Sequence, residues 1–160
     1  MRLLFYAIIS FYFQSLGIAE LGESLDQIKK RYGDPILHAE KSYRFTKNGF
    51  ILDFKFEDGV ASQLDIRYEN SEFTHLSLVT VTALLERFKP KNEKGQWTEA
   101  SKIFNEEQMR QMAKGVRLWI FAPEGNMFAA WHVEEDFLKI MLGSGIEKVV
   151  DRQAEQIKGL

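Results

Sequence analysis

Cysteine is missing from all 160 residues, and proline and histidine occur only three times each. The first absence removes disulfides, thiolate nucleophiles, thiolate metal sites and the lipid-bearing cysteine of a bacterial lipoprotein. His38, His75 and His132 stand far apart, and none falls in the His-x-His or His-Glu-x-x-His spacing that ligates a metal. His132 beside Glu134 and Glu135 resembles half a ligand set, but a strand histidine before an acidic turn explains it as well. No serine sits in Gly-x-Ser-x-Gly, and no glycine-rich phosphate loop is present. Gly143-Ser144-Gly145 reads as a cap or turn, Glu106-Glu107 as the first turn of a helix, and Glu134-Glu135-Asp136 as a hairpin turn. Charge of one sign is also lacking: 21 basic against 23 acidic residues give −2, spread along the chain. That leaves no electrostatic footprint for nucleic acid or an anionic membrane. These absences lead us to expect a chain that is not an enzyme and uses no cofactor or metal.

The longest apolar run is short. Leu3 to Phe13 is interrupted only by Ser10, and Gln14, Ser15 and Gly17 end it before the ~20 residues a membrane span needs. With Arg2 ahead of it and Gly17-Ile18-Ala19 behind it, the run fits a signal peptide over residues 1–19. The alternative is an uncleaved anchor. The expected mature chain, 20–160, is one α+β domain, periplasmic or secreted in a bacterium, with no stable membrane span after cleavage.

Apolar residues make up 45% of the chain and phenylalanine alone supplies 13 positions, which favours a sheet-rich core. In "LGESLDQIKKRYGDPI", Ser24 and Gln27 form a capping box, and Leu25, Ile28 and Tyr32 share one helical face. Gly33 and Pro35 stop that helix, leaving Lys30, Arg31 and Asp34 as solvated residues without assigned chemistry. Three alternating runs follow, joined by Asn48-Gly49 and Asp58-Gly59, both strong hairpin signals. Phe50, Leu52, Phe54 and Phe56 share one face, as do Val60, Leu64, Ile66 and Tyr68. A second helix starts at Ser77, with Leu78, Val81, Leu84, Leu85 and Phe88 on its apolar face, followed by a polar connector from Lys91 to Ser101. A short helix from Asn105 toward Gly115, strand-like runs at 116–121, 127–133 and 137–142, and a helix over about 146–158 complete the chain. The expected architecture is therefore two tandem units, about 22–70 and 75–142, each a helix plus a three-stranded antiparallel meander. The helices pack on one side of the sheet, and a short helix ends the chain.

Gly22-Glu23-Ser24 leading to Arg31-Tyr32-Gly33-Asp34-Pro35, followed by a meander, resembles the unit of the SmpA/OmlA outer-membrane assembly lipoproteins. Two such units in tandem are similar to the fold of the secreted beta-lactamase inhibitory proteins. The resemblance covers about residues 21–142 and implies envelope-associated protein binding rather than catalysis. The chain lacks the lipidated cysteine of the first group and the disulfides of the second, so no functional residue is transferred.

Both faces of the second meander carry bulk: Val116, Leu118 and Ile120 against Arg117, Trp119 and Phe121, then Met127, Ala129 and Trp131 against Phe128, Ala130 and His132. Either other elements cover the second face or an aromatic patch is exposed as a partner site. The expectation is a non-catalytic module that binds an unidentified protein or peptide, with Trp97, Trp119, Phe121 and Phe128 as its surface. The alternative is a small-molecule or envelope-ligand binder using a pocket between sheet and helices, and a third reading is a hydrolase of unrecognised type. A partner site needs an uncovered aromatic face, a ligand binder an apolar pocket with few polar groups, and an enzyme a gathering of titratable groups with shifted pKa values.

Overall fold

The structure is a computed structural model describing residues 21–70, 74–89, 94–106, 115–122 and 126–143. The expected signal segment and C-terminal helix lie outside these residues, as does most of the helix expected from Asn105.

Helix α1 spans Leu25–Tyr32 and has the capping box read from its sequence: Ser24 Oγ accepts from Gln27 N, and Gln27 Oε1 accepts from Ser24 N. Ile28 is fully buried, with Leu25 and Tyr32 packed beside it against the core. Arg31 is not simply solvated; its guanidinium makes a two-pronged ion pair with Glu23, and both side chains are largely shielded. Strand β1 (Leu37–Ala39) leads into β2 (Ser42–Lys47), β3 (Phe50–Glu57) and β4 (Val60–Tyr68). Asn48 and Gly49, then Asp58 and Gly59, take positive φ at the two hairpins, matching two-residue turns whose twist suits paired strands.

Helix α2 (Leu78–Arg87) is capped by Ser77 and precedes β5 (Gln96–Glu99), a 3₁₀ turn at Ala100–Lys102, β6 (Val116–Ala122), β7 (Met127–His132) and β8 (Phe137–Leu142). Asp136, in the β7–β8 turn, accepts from the backbone N–H of Leu76 at 2.8 Å and contacts His75 Nδ1 at 3.1 Å. That clasp ties the turn to the start of α2.

The expectation of two tandem helix-plus-meander units is corrected. All eight strands form one antiparallel sheet in the order β1-β2-β3-β4-β8-β7-β6-β5. The join is β4 with β8, where Gln63, Leu64, Asp65 and Ile66 pair with Met141, Ile140, Lys139 and Leu138. Physically, two separate meanders would leave two more edges of unpaired N–H and C=O groups, and pairing β4 to β8 removes both. The apolar row Tyr43–Phe54–Leu64–Ile140–Ala129–Trp119 runs straight through the join, so there is one core. Two edge strands, β1 and β5, were not expected from the sequence.

Both helices pack on the side of the sheet that carries this row, here the near face. Val81, Leu84, Leu85 and Phe88 of α2 and Ile28 of α1 join the same cluster as Phe45, Phe121 and Leu138. Among the described residues no helix is long and apolar enough to cross a membrane.

Candidate functional site

Among the described residues two helices lie over eight strands, and between those helices is a cavity of about 420 Å³. Phe50 and Leu52 project from β3 to form its floor, because even positions of that strand face the helices. Tyr32 closes one side from the last turn of α1, its ring packed 5.9 Å from both Phe45 and Phe54. The opposite wall comes from α2, where Thr80, Ala83, Leu84 and Arg87 recur at helical spacing on one flank. Val79 stands at the mouth, 81% exposed, the most exposed of the large hydrophobic residues described.

Polar groups in the lining are few. Among the described residues that line it, Lys47 and Arg87 are the charged ones. Lys47 comes from the end of β2, where its ammonium donates a long 3.5 Å bond to the Arg31 carbonyl at the end of α1. The Thr80 hydroxyl is engaged with Ser77 Oγ at 2.9 Å. The volume lies within the usual range for small-molecule pockets, roughly 300–1,000 Å³.

The four aromatic residues singled out in the sequence do not make one surface. Trp119 and Phe121 face the helices and are buried, Phe121 completely. Trp97 pairs with Phe121 across β5–β6, packs edge-on against its ring at 5.5 Å, and donates its indole N–H to the Leu85 carbonyl at 2.7 Å. That carbonyl belongs to the last turn of α2, where no intrahelical donor remains, so Trp97 fastens the helix end. Phe128 pairs with Ile120 on the opposite, far face, half-buried. Strand parity divides the set: 119 and 121 share a face, whereas 128 opposes 120.

A second gathering lies on the far face at the β4–β8 join. Asp65 stands directly opposite Lys139, with Asp53 as its other cross-strand neighbour. Burial raises the Asp65 pKa, partly offset by Lys139 and by the Gln63 amide, which donates to both carboxylate oxygens at 3.1 Å. Burial also lowers the His132 pKa, with Lys139 adding to the effect, and its ring stacks on Phe137 at 4.2 Å. Shifted titratable groups thus do come together, as an enzyme reading would want. They lie on a sheet face, however, and line neither the helix cavity nor a second, more open hollow over Tyr43 and Phe56. Among the described residues no three His, Cys, Asp or Glu side chains gather to hold a metal.

Sequence reasoning named Tyr32, Phe50, Leu52, Leu84 and Phe88 as apolar-face residues but did not bring them to one cavity, because its walls come from four elements. Compared with known proteins, the chain matches no family model, no curated protein and no solved structure. The resemblance to the SmpA/OmlA proteins therefore rests on its own residues.

Proposed function

We propose that this chain is a non-catalytic binding module whose site is the cavity between α1, α2 and the β2–β3 hairpin, and that its ligand is a small, mainly apolar molecule. The observation that carries this reading is the lining itself: a sheet floor of Phe50 and Leu52, with Leu84 and Phe88 in the wall and few polar groups. Burial of Trp119 and Phe121 favours a ligand pocket over the aromatic partner surface. Export is part of the proposal and is supported by the leader-like sequence ending at Gly17-Ile18-Ala19.

A neutral environment-sensitive dye, N-phenyl-1-naphthylamine, tests the site. Saturable fluorescence enhancement is expected with the native chain. It should be lost in Ala83→Trp, which fills the cavity from an exposed position of α2 without disturbing the core beneath. No saturable enhancement, or enhancement unchanged in Ala83→Trp, refutes the assignment.

A further inference from the structure

The second hollow, about 330 Å³, lies at the end of β2 and β3 opposite the Asn48–Gly49 hairpin, and its chemistry differs from that of the cavity. Tyr43 and Phe56 line it with their rings 84° apart and centroids at 5.3 Å, a right-angled aromatic corner. Leu25, at the start of α1, adds an aliphatic wall. His38 stacks on Tyr43 at 4.5 Å and holds that ring in its plane. Glu40 and Asp58 line the same hollow from the β1–β2 and β3–β4 turns. The Phe56 N–H, donating to the Lys41 carbonyl at 2.9 Å, draws those two turns together.

Other carboxylates of the sheet and of α1 are engaged: Glu23 holds Arg31, Asp53 holds Arg44 and Glu99 holds Arg117. The Glu40 and Asp58 carboxylates have no hydrogen bond or ion pair among the described residues. Glu40 also takes a positive φ of 49°, where glycine or asparagine is less strained, so the turn does not explain a glutamate there. Among the described residues that line the hollow, Lys41 is the cation set against these two carboxylates. A ring attracts positive charge through its quadrupole, and a carboxylate at the rim adds a Coulomb attraction. A primary ammonium is strongly hydrated and would surrender hydrogen bonds to water against Phe56 and Leu25. Methyl groups on the nitrogen remove that cost, because they present the charge on an apolar surface.

We propose that this hollow binds a small quaternary ammonium compound, its methyl groups against Tyr43 and Phe56 and its charge facing Glu40 and Asp58. The site is separate from the apolar cavity and does not depend on it.

Amide NMR shifts of the native chain during titration with choline test it. Saturable shifts are expected at Glu40 and Gly59, which flank the hollow. Dimethylbutanol, the neutral carbon isostere of choline, should bind about fivefold more weakly, the size of a cation–π contact at a partly exposed site. Methylammonium should also bind more weakly than choline. Asp58→Asn and Glu40→Gln should each weaken choline about threefold, as expected for one exposed charge pair. Tyr43→Leu should weaken it about fivefold. Both charge variants sit at exposed turn positions, so the test stands even if Tyr43→Leu folds poorly. Ala83→Trp should leave choline binding unchanged while abolishing dye binding, so each site can fail alone. If choline gives no saturable shift, or dimethylbutanol matches it, the proposal is overturned. If methylammonium binds as well as choline, the quaternary class is wrong. If Asp58→Asn and Glu40→Gln both bind choline like the native chain, the hollow is not its site.

Discussion

Across the far face, one row of paired residues reads Arg44–Asp53–Asp65–Lys139–Ala130–Leu118, from β2 to β6. The next reads Ser42–Lys55–Gln63–Met141–Phe128–Ile120. Charge and amide groups fill the β2–β4 end, and apolar side chains fill most of the β6–β8 end. The near face shows no such break, since phenylalanine, leucine, isoleucine and tryptophan continue across it. The β2–β4 end needs no cover, because its groups answer one another: Arg44 binds Asp53 through Nε at 2.6 Å and Nη2 at 2.9 Å, and Arg67 reaches Asp53 at 3.5 Å. Hydrogen bonding to Asp53 also raises the Arg44 pKa. At the other end Leu118, Ile120, Phe128 and Met141 are half-buried and Ala130 is buried, so that surface is not left to water. One sheet thus combines a shared core with two kinds of back, and its two ends should answer the same insult differently.

The largest difference should come from placing a carboxylate on each back. Leu118→Asp sets a charge among Ile120, Ala130 and Phe128, and should cost about 2–4 kcal/mol through desolvation without a partner. Ile51→Asp stands opposite Arg67 on the same face at the polar end, and should cost about 1 kcal/mol or less. Urea unfolding midpoints at neutral pH decide it. Equal costs would show that the apolar end is as wet as the polar one.

A smaller contrast lies in salt dependence. Phe128→Ala removes apolar burial and should cost about 2 kcal/mol, unchanged between low and high ionic strength. Asp53→Ala removes the acceptor of two half-exposed arginines and should cost about 1 kcal/mol, less as salt rises. A salt-sensitive Phe128 effect, or a salt-insensitive Asp53 effect, breaks the division between the two ends.

That division also explains what the sequence showed and what it hid. In β3 and β4, Phe54 and Leu64 alternate with Asp53 and Asp65, so the buried side was readable residue by residue. In β6 and β7 both sides are bulky, so nothing local says that Trp119 and Phe121 turn inward while Phe128 turns out. The Asn48-Gly49 turn and the Ser24–Gln27 cap are local chemistry and were legible. The β4–β8 pairing is a long-range choice that satisfies edge groups, and no residue near Leu64 or Ile140 announces it. Strand β1 escaped notice because Leu37, His38 and Ala39 are all exposed and show no alternation. β5 hid inside a polar connector. Half of the candidate site was visible as types, Phe50 and Leu84 among them, but their meeting with Tyr32 around one cavity emerged only in three dimensions.

The subtlest contrast is in pH, at the border between the two ends. Asp65 faces Lys139, Gln63 and Asp53, and burial raises its folded pKa above the ordinary carboxylate value of about 3.9. Between those two values the native state holds more of this proton than the unfolded chain, so stability falls as pH rises through the window. The cost then persists at neutral pH. Asp65→Asn should therefore gain on the native chain near pH 7, and the gain should shrink on acidification through that window. His132 faces Lys139 and Glu135 as well as Asp65, and burial lowers its folded pKa below about 6.5. Here the unfolded chain holds more of the proton, so stability falls as pH drops from about 6.5 to the folded value. His132→Gln should flatten that slope and leave the behaviour above it unchanged. Urea midpoints taken from about pH 3.5 to 7.5 should show the two variants departing from the native chain with opposite slopes. Parallel curves for both would mean that neither group is shielded by the sheet face on which it sits, and that the border between polar and apolar ends carries no electrostatic consequence.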